Sequence, residues 1–157
     1  MPEAIAVMTR FYTAFQQKDA AGMAACCSSD IIFSDAVFPL LQGAQVTAMW
    51  RMLCRNAQFF ELQFNRLEAL DEEYVTCHWQ ATYLFSGTGR MVTNRIKAHM
   101  RIQNGLITEH SDAFSFYAWA KQAFGWKGWL LGWSGFFRRR VQLGAREKLE
   151  QFMASSR

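Results

Sequence analysis

Residues 91–103 alternate without a break. Val92, Asn94, Ile96, Ala98, Met100 and Ile102 fall on one phase, and Thr93, Arg95, Lys97, His99, Arg101 and Gln103 on the other. A period of two held this long fits a strand with one dry face and one wet face, and fits no helix. Asn104-Gly105 follows, a dipeptide suited to the tightest hairpin turns, and after it Ile107–Phe114 reads ITEHSDAF. The turn sets this second strand beside the first. Thr108, His110, Asp112 and Phe114 share one of its phases. If that phase meets solvent, His110 and Asp112 are ordinary surface residues. If it meets the core, a histidine and a carboxylate are buried side by side.

The chain on either side supplies the layer such a strand needs. Ile5, Met8, Tyr12 and Phe15 make a helical stripe behind Pro2, with Phe11 beside it. Lys18-Asp19 breaks that stripe, and Asp19 suits the cap of a short second helix ending near Cys27. IIFSD reads as a short strand with Ile31, Phe33 and Asp35 on one face, and AVFPLLQG as a loop. Val46, Met49, Trp50, Leu53 and Cys54 have the spacing of a third helix. Phe60, Leu62 and Phe64 then alternate with polar residues, and the phase slips toward Leu67, so a bulge is expected near Arg66. Asp71-Glu72-Glu73 is a turn, Tyr74–Phe85 a long strand and SGTG another turn. A Trp-rich segment and a basic final helix end the chain. This order predicts an α+β fold, with N-terminal helices packed against one face of a curved antiparallel sheet and a helical C-terminal tail.

Composition narrows the function classes. The 157 residues are 51% hydrophobic, with 14 Phe and 6 Trp, enough for one domain with a sizeable core. No apolar run reaches the length of a membrane span. MPEAIAVMTRFY carries an early acid and an amphipathic repeat, unlike a secretory signal, so a cytoplasmic location is expected. Cys26, Cys27, Cys54 and Cys77 form no C-x-x-C pair and no zinc spacing, which predicts buried free thiols and no metal. Phe136–Arg157 holds six bases and two acids, which equals the net charge of the whole chain, +4. The basicity therefore belongs to the tail.

RFYTAFQQKDAAGMAACCSSDIIFSDAVF resembles the start of ketosteroid isomerase, helix for helix and strand for strand. ATYLFSGTGRMVTNRIKAHMRIQNGLITEHSDAF and GWLLGWSGFF are similar to a bacterial SnoaL-like subgroup. Both belong to the nuclear transport factor 2-like superfamily. The resemblance implies a cone-shaped fold around an apolar cavity, with the domain at 1–116 and a Trp-rich, basic helical extension at 117–157 packing on it. Because this fold hosts isomerases, cyclases, hydrolases, dehydratases and plain binding modules, it speaks to architecture more than to chemistry.

Residue by residue, the resemblance places the general-base aspartate of ketosteroid isomerase on Asp35. Its two oxyanion donors fall on Phe11 and Ala98, which cannot donate, although Tyr12 adjoins Phe11. The final-strand aspartate of limonene epoxide hydrolase falls on Asp112, with His110 two residues before it. The Arg-x-Asp pair of that enzyme falls on His78-x-Gln80 or Trp79-x-Ala81, according to register. Glu109-His110-Ser111-Asp112 matches the E-H-x-D segment of SnoaL-like cyclases. The family pattern also puts His110, Asp112 and Phe114 on the side of Val92, Ile96, Ala98 and Met100. Asp35, His110 and Asp112 are thus the candidate catalytic set, and a buried structural network is the alternative. Phe11, Tyr12, Trp50, Trp79, Tyr83, Asn94, Ala98 and Phe114 are the candidate substrate-binding residues.

The expected activity is binding of a small hydrophobic molecule, with or without cofactor-free acid–base chemistry of the isomerase, cyclase, dehydratase or epoxide hydrolase type. The rival is a non-catalytic ligand-binding or interaction module. A homodimer through Arg95, Lys97, His99 and Arg101 is expected. Three adjacent arginines are thin support for a nucleic-acid partner, and none is expected. For the tail, a lid in which Trp119, Phe124, Trp129, Leu130 and Trp133 cover the open end of the cone or a dimer seam is preferred to membrane contact, which Trp and basic residues also suit.

Overall fold

The computed structural model describes residues 2–156. Helices α1 (Glu3–Gln16) and α2 (Ala20–Ala25) lead into strand β1 (Cys27–Ser34), the two-residue β2 (Leu41–Gln42) and α3 (Ala44–Asn56). Four long strands follow: β3 (Phe60–Ala69), β4 (Tyr74–Phe85), β5 (Arg90–Gln103) and β6 (Leu106–Ala113). Helices α4 (Phe116–Phe124), α5 (Trp126–Leu131) and α6 (Gly135–Ser155) complete the chain. The strands form one curved, open sheet in the order β2-β1-β6-β5-β4-β3.

The alternation of residues 91–103 is realised along β5. Val92, Asn94, Ile96, Ala98, Met100 and Ile102 are buried, while Arg95, Lys97 and His99 are exposed. Asn104 and Gly105 both take positive φ, which a two-residue turn of this hand requires. Helix α1 lays Ala4, Val7, Met8, Phe11, Tyr12 and Phe15 on the dry face of the sheet. Ile5 sits at the margin of that stripe rather than within it. Asp19 caps α2 as expected, accepting a hydrogen bond from the Gly22 amide at 2.9 Å.

Three features depart from the sequence reading. The sheet is mixed, because β1 lies parallel to β6. The other strand pairs are antiparallel. A parallel neighbour needs a long crossover, here α3 and the whole β3–β5 meander, and the alternation of a strand carries no sign of its direction. The stretch AVFPLLQG contains β2, which pairs with β1 through Ile32–Gln42 and Phe33–Leu41. Finally, β6 carries a bulge. Arg101 pairs with Glu109 but Ile102 with Ile107, so Thr108 is the extra residue and its hydroxyl turns back to the Arg101 carbonyl. Ile107 takes the buried place, and Thr108 does not share the inward phase of His110. The bulge expected near Arg66 is present: its φ is +54° and the β3–β4 register shifts between Asn65 and Glu68.

The tail wraps the open side of this layer. Helix α4 packs across β5, around Val92, Phe116, Trp119, Ala120 and Ala123. Helix α6 packs on α3 and buries Leu149 in the main core.

Candidate functional site

The β6 bulge restores the phase that turns His110 and Asp112 inward, opposite Met100 and Ala98. Their side chains are 0% and 3% exposed, and His110 Nε2 lies 2.9 Å from Asp112 Oδ1. Trp79 Nε1–H donates to the same oxygen at 3.4 Å. An indole N–H can only donate, so Oδ1 accepts from Trp79 while it is hydrogen-bonded to the imidazole. The His110 ring stacks on Trp50, with centroids 5.7 Å apart, and meets Phe11 and Phe33 edge-on. Its Nδ1 has no partner.

Asp35 closes the loop after β1. Its Oδ1 accepts from the amides of Val37 at 2.8 Å and Phe38 at 2.6 Å, and its own amide donates to the Phe38 carbonyl. Burial pushes its carboxyl up to about 6; the Phe38 amide pulls against this, and the nearby Asp112 charge adds to the rise.

Between the helices and the sheet lies a cavity of about 750 Å³. Its wall is mostly aromatic and aliphatic, with Asp35, Asp112, Asn94 and Tyr83 as polar points on the sheet side. The Tyr83 hydroxyl accepts from Trp119 Nε1 at 2.8 Å, which leaves its own proton free to donate. Burial raises the Tyr83 phenol, opposed by the Trp119 bond and reinforced by the Asp35 charge.

Of the residues singled out from sequence, Asp35, Trp50, Trp79, Tyr83, Asn94, Asp112 and Phe114 line this cavity. Phe11, Tyr12, Ala98 and His110 do not; they are buried in the layer behind it. His110 reaches the cavity only through Asp112. The Tyr12 hydroxyl and Trp50 Nε1 are buried without partners. Burial, and then the charges of Asp112 and Cys77, hold the Tyr12 phenol well above its ordinary value. On β4, Trp79 and Ala81 point in and His78 points out, which settles the register left open above. Among the described residues, no cluster of His, Cys, Asp or Glu is placed to hold a metal ion.

The tail contributes more than the sequence suggested. Phe137, Arg140, Val141, Gly144, Ala145 and Lys148 all line the cavity, at the spacing of one helical face. That stripe is present in the sequence, but its Arg and Lys members disguise it as part of a charge run. Trp119 and Phe124 line the cavity as a lid would. Trp129, Leu130 and Trp133 do not: they stand in solvent. Gly128 and Gly132 press α5 against Ala120 and Tyr117 of α4, so the bulky residues of α5 are turned outward.

Solved structures share this architecture. A proposed polyketide cyclase from Xanthomonas campestris pv. campestris superposes with a TM-score of 0.64 at 19% identity, covering 77% of this chain and 96% of that one. A nuclear transport factor 2-like protein of unknown function from Burkholderia pseudomallei gives 0.69 at 17% identity, covering 80% and 100%. An epoxide hydrolase of M. tuberculosis, similar to limonene epoxide hydrolase, gives 0.65 at 22%, covering 83% and 91%. No protein of curated function matches the sequence. The SnoaL-like domain matches residues 8–110, ending two residues before Asp112 and leaving the tail outside. That match runs from Met8 within α1 to the histidine of the buried pair within β6, and the chain belongs to the SnoaL-like domain family.

Proposed function

We propose that this protein binds a small, largely apolar molecule in the 750 Å³ cavity and moves a proton on it without a cofactor. The observation that carries this reading is the meeting of two carboxylates, Asp35 and Asp112, on one apolar wall, with Asp35 raised to about 6. A carboxyl in that range gives up and regains a proton readily near neutral pH. Asp35 is the proton-exchanging group. Asp112, held by His110 and Trp79, is the second carboxylate, and its charge favours the protonated form of Asp35. Phe11 and Ala98 cannot stabilise an oxyanion, so Tyr83 takes that part with its free O–H, assisted by the Asn94 amide. The reaction class is proton relocation next to a carbonyl or opening of a strained ring. The cyclase and epoxide hydrolase among the structural neighbours fall in the same range.

Native mass spectrometry of the purified protein identifies the class of a retained ligand. Incubating that ligand with the protein in D2O then tests the chemistry. Deuterium at a carbon position, lost in Asp35→Asn, supports the reading. Retention of an unlabelled, unaltered ligand favours a binding module, which the sealed, partnerless Nδ1 of His110 would also suit. The outward phase of β5 (Arg95, Lys97, His99 and the half-buried Arg101) remains the proposed seat of a homodimer, through a mixed polar interface. A monomer by sedimentation at micromolar concentration would sink that proposal. Four free thiols favour a reducing compartment.

A further inference from the structure

Six large apolar side chains crowd a short stretch of surface: Trp126, Trp129, Leu130, Leu131, Trp133 and Phe136 are each 50–74% exposed. They occupy α5, the following turn and the first turn of α6. A patch of this kind is unusual on a surface that meets only water. Leu131, Phe136, Phe137 and Arg140 also line the cavity, so the patch is the rim of its mouth.

The stretch of chain that carries the rim holds charges of one sign. From Ala113 to Arg146 the chain holds Lys121, Lys127, Arg138, Arg139, Arg140 and Arg146, and no acid. The remainder, with eleven bases and thirteen acids, is net negative. The cations lie against the rings: Lys127 over Trp126, Lys121 over Trp129 and Arg140 over Phe136. The Trp133 indole N–H is already satisfied by the Leu130 carbonyl, so that ring can leave water without stranding a donor.

We infer that this rim docks on an anionic lipid surface, with the cavity mouth facing the bilayer so that the ligand enters from the lipid. Exposed indoles beside Lys and Arg fit the headgroup boundary, where the rings meet acyl chains and the cations meet phosphate. A second copy seated on the same rim would press Lys121, Lys127 and Arg140 against the same three cations. No helix among the described residues is long and apolar enough to cross a membrane, so the contact is peripheral. The direction of ligand entry rests on the proposed function; the docking itself does not.

The test is cosedimentation of the whole protein with vesicles of phosphatidylcholine, with and without phosphatidylserine. Binding should require phosphatidylserine and weaken as salt is raised. Trp126→Ser/Trp129→Ser/Trp133→Ser and Lys121→Glu/Lys127→Glu should each weaken binding by about tenfold or more while the melting temperature stays close to that of the parent. Asp35→Asn should bind vesicles as the parent does, which separates failure of docking from failure of the catalytic reading. Absence of parent binding to the anionic vesicles overturns the inference. So does equal binding to neutral vesicles, or a parent dimer that the triple Trp variant dissociates without any vesicle binding.

Discussion

Trp50 lines the chamber and is 2% exposed, whereas Trp133 stands in solvent next to the rim-lining Ser134 and is 74% exposed. Trp50 lies at the deep end, among Phe11, Phe15, Phe33 and His110, with ring centroids 5.2–5.7 Å apart. Trp133 lies beside the mouth, touched by solvent and bonded only to the carbonyl three residues before it. Aromatic content is therefore no guide to purpose in this molecule. At the deep end, rings exclude water and box in the His110 imidazole. At the mouth, they stand in solvent beside two lysines and an arginine. The first arrangement stabilises the fold; the second is stability left unused, which a partner surface can recover.

The sharpest way to break this contrast is to truncate both rings. Trp50→Ala should cost about 3–5 kcal/mol in denaturant unfolding. Trp133→Ala should stay within about 0.5 kcal/mol. Similar losses would mean that the rim is packed in solution.

Asp35 lies between the two ends, and its effect should depend on pH. Its folded carboxyl is raised to about 6 from 3.8, so between those values the folded state holds more protons than the unfolded one. Stability from this group is therefore lost as pH rises from about 4 to about 6. Asp35→Asn should be stabilising by at most about 3 kcal/mol above pH 6, and the gain should vanish below about pH 4, as read by thermal melts across that range. Turnover of the true substrate should disappear in the same variant. A gain independent of pH would refute the burial argument.

A smaller effect is expected at Asp112. Asp112→Asn keeps an acceptor for the His110 and Trp79 N–H groups and should cost about 1 kcal/mol. Asp112→Ala strands both donors and should cost about 1 kcal/mol more. Equal melts for the two variants would show that the His110–Asp112 bond contributes nothing. The least effect of all is expected with a 3-oxo-Δ5 steroid. Phe11 and Ala98 donate no hydrogen bond, and an absorbance assay should show little or no isomerisation. Turnover near that of a genuine ketosteroid isomerase would show that the oxyanion site lies elsewhere.

Most of the sheet was legible because its signal is local. The unbroken phase of β5, the Asn104-Gly105 turn and the slip at Arg66 each depend on neighbours along the chain. The family resemblance then oriented His110 and Asp112, and the inward face of β6 agrees. Thr108 was misplaced because the bulge is set by the register with β5, not by anything in ITEHSDAF itself.

By itself, then, the sequence determined which side chains share a face, since alternation and helical stripes follow from backbone geometry alone. It also determined where charge collects, since composition does not depend on folding. Tertiary structure decided what each face meets. It set β1 parallel to β6 and brought Asp35 within reach of the Asp112 charge. It turned one stripe of α6 into a cavity wall, and it buried Trp119 while leaving Trp129 in water. Those outcomes depend on contacts between residues far apart in the chain, and no window along it is long enough to contain them.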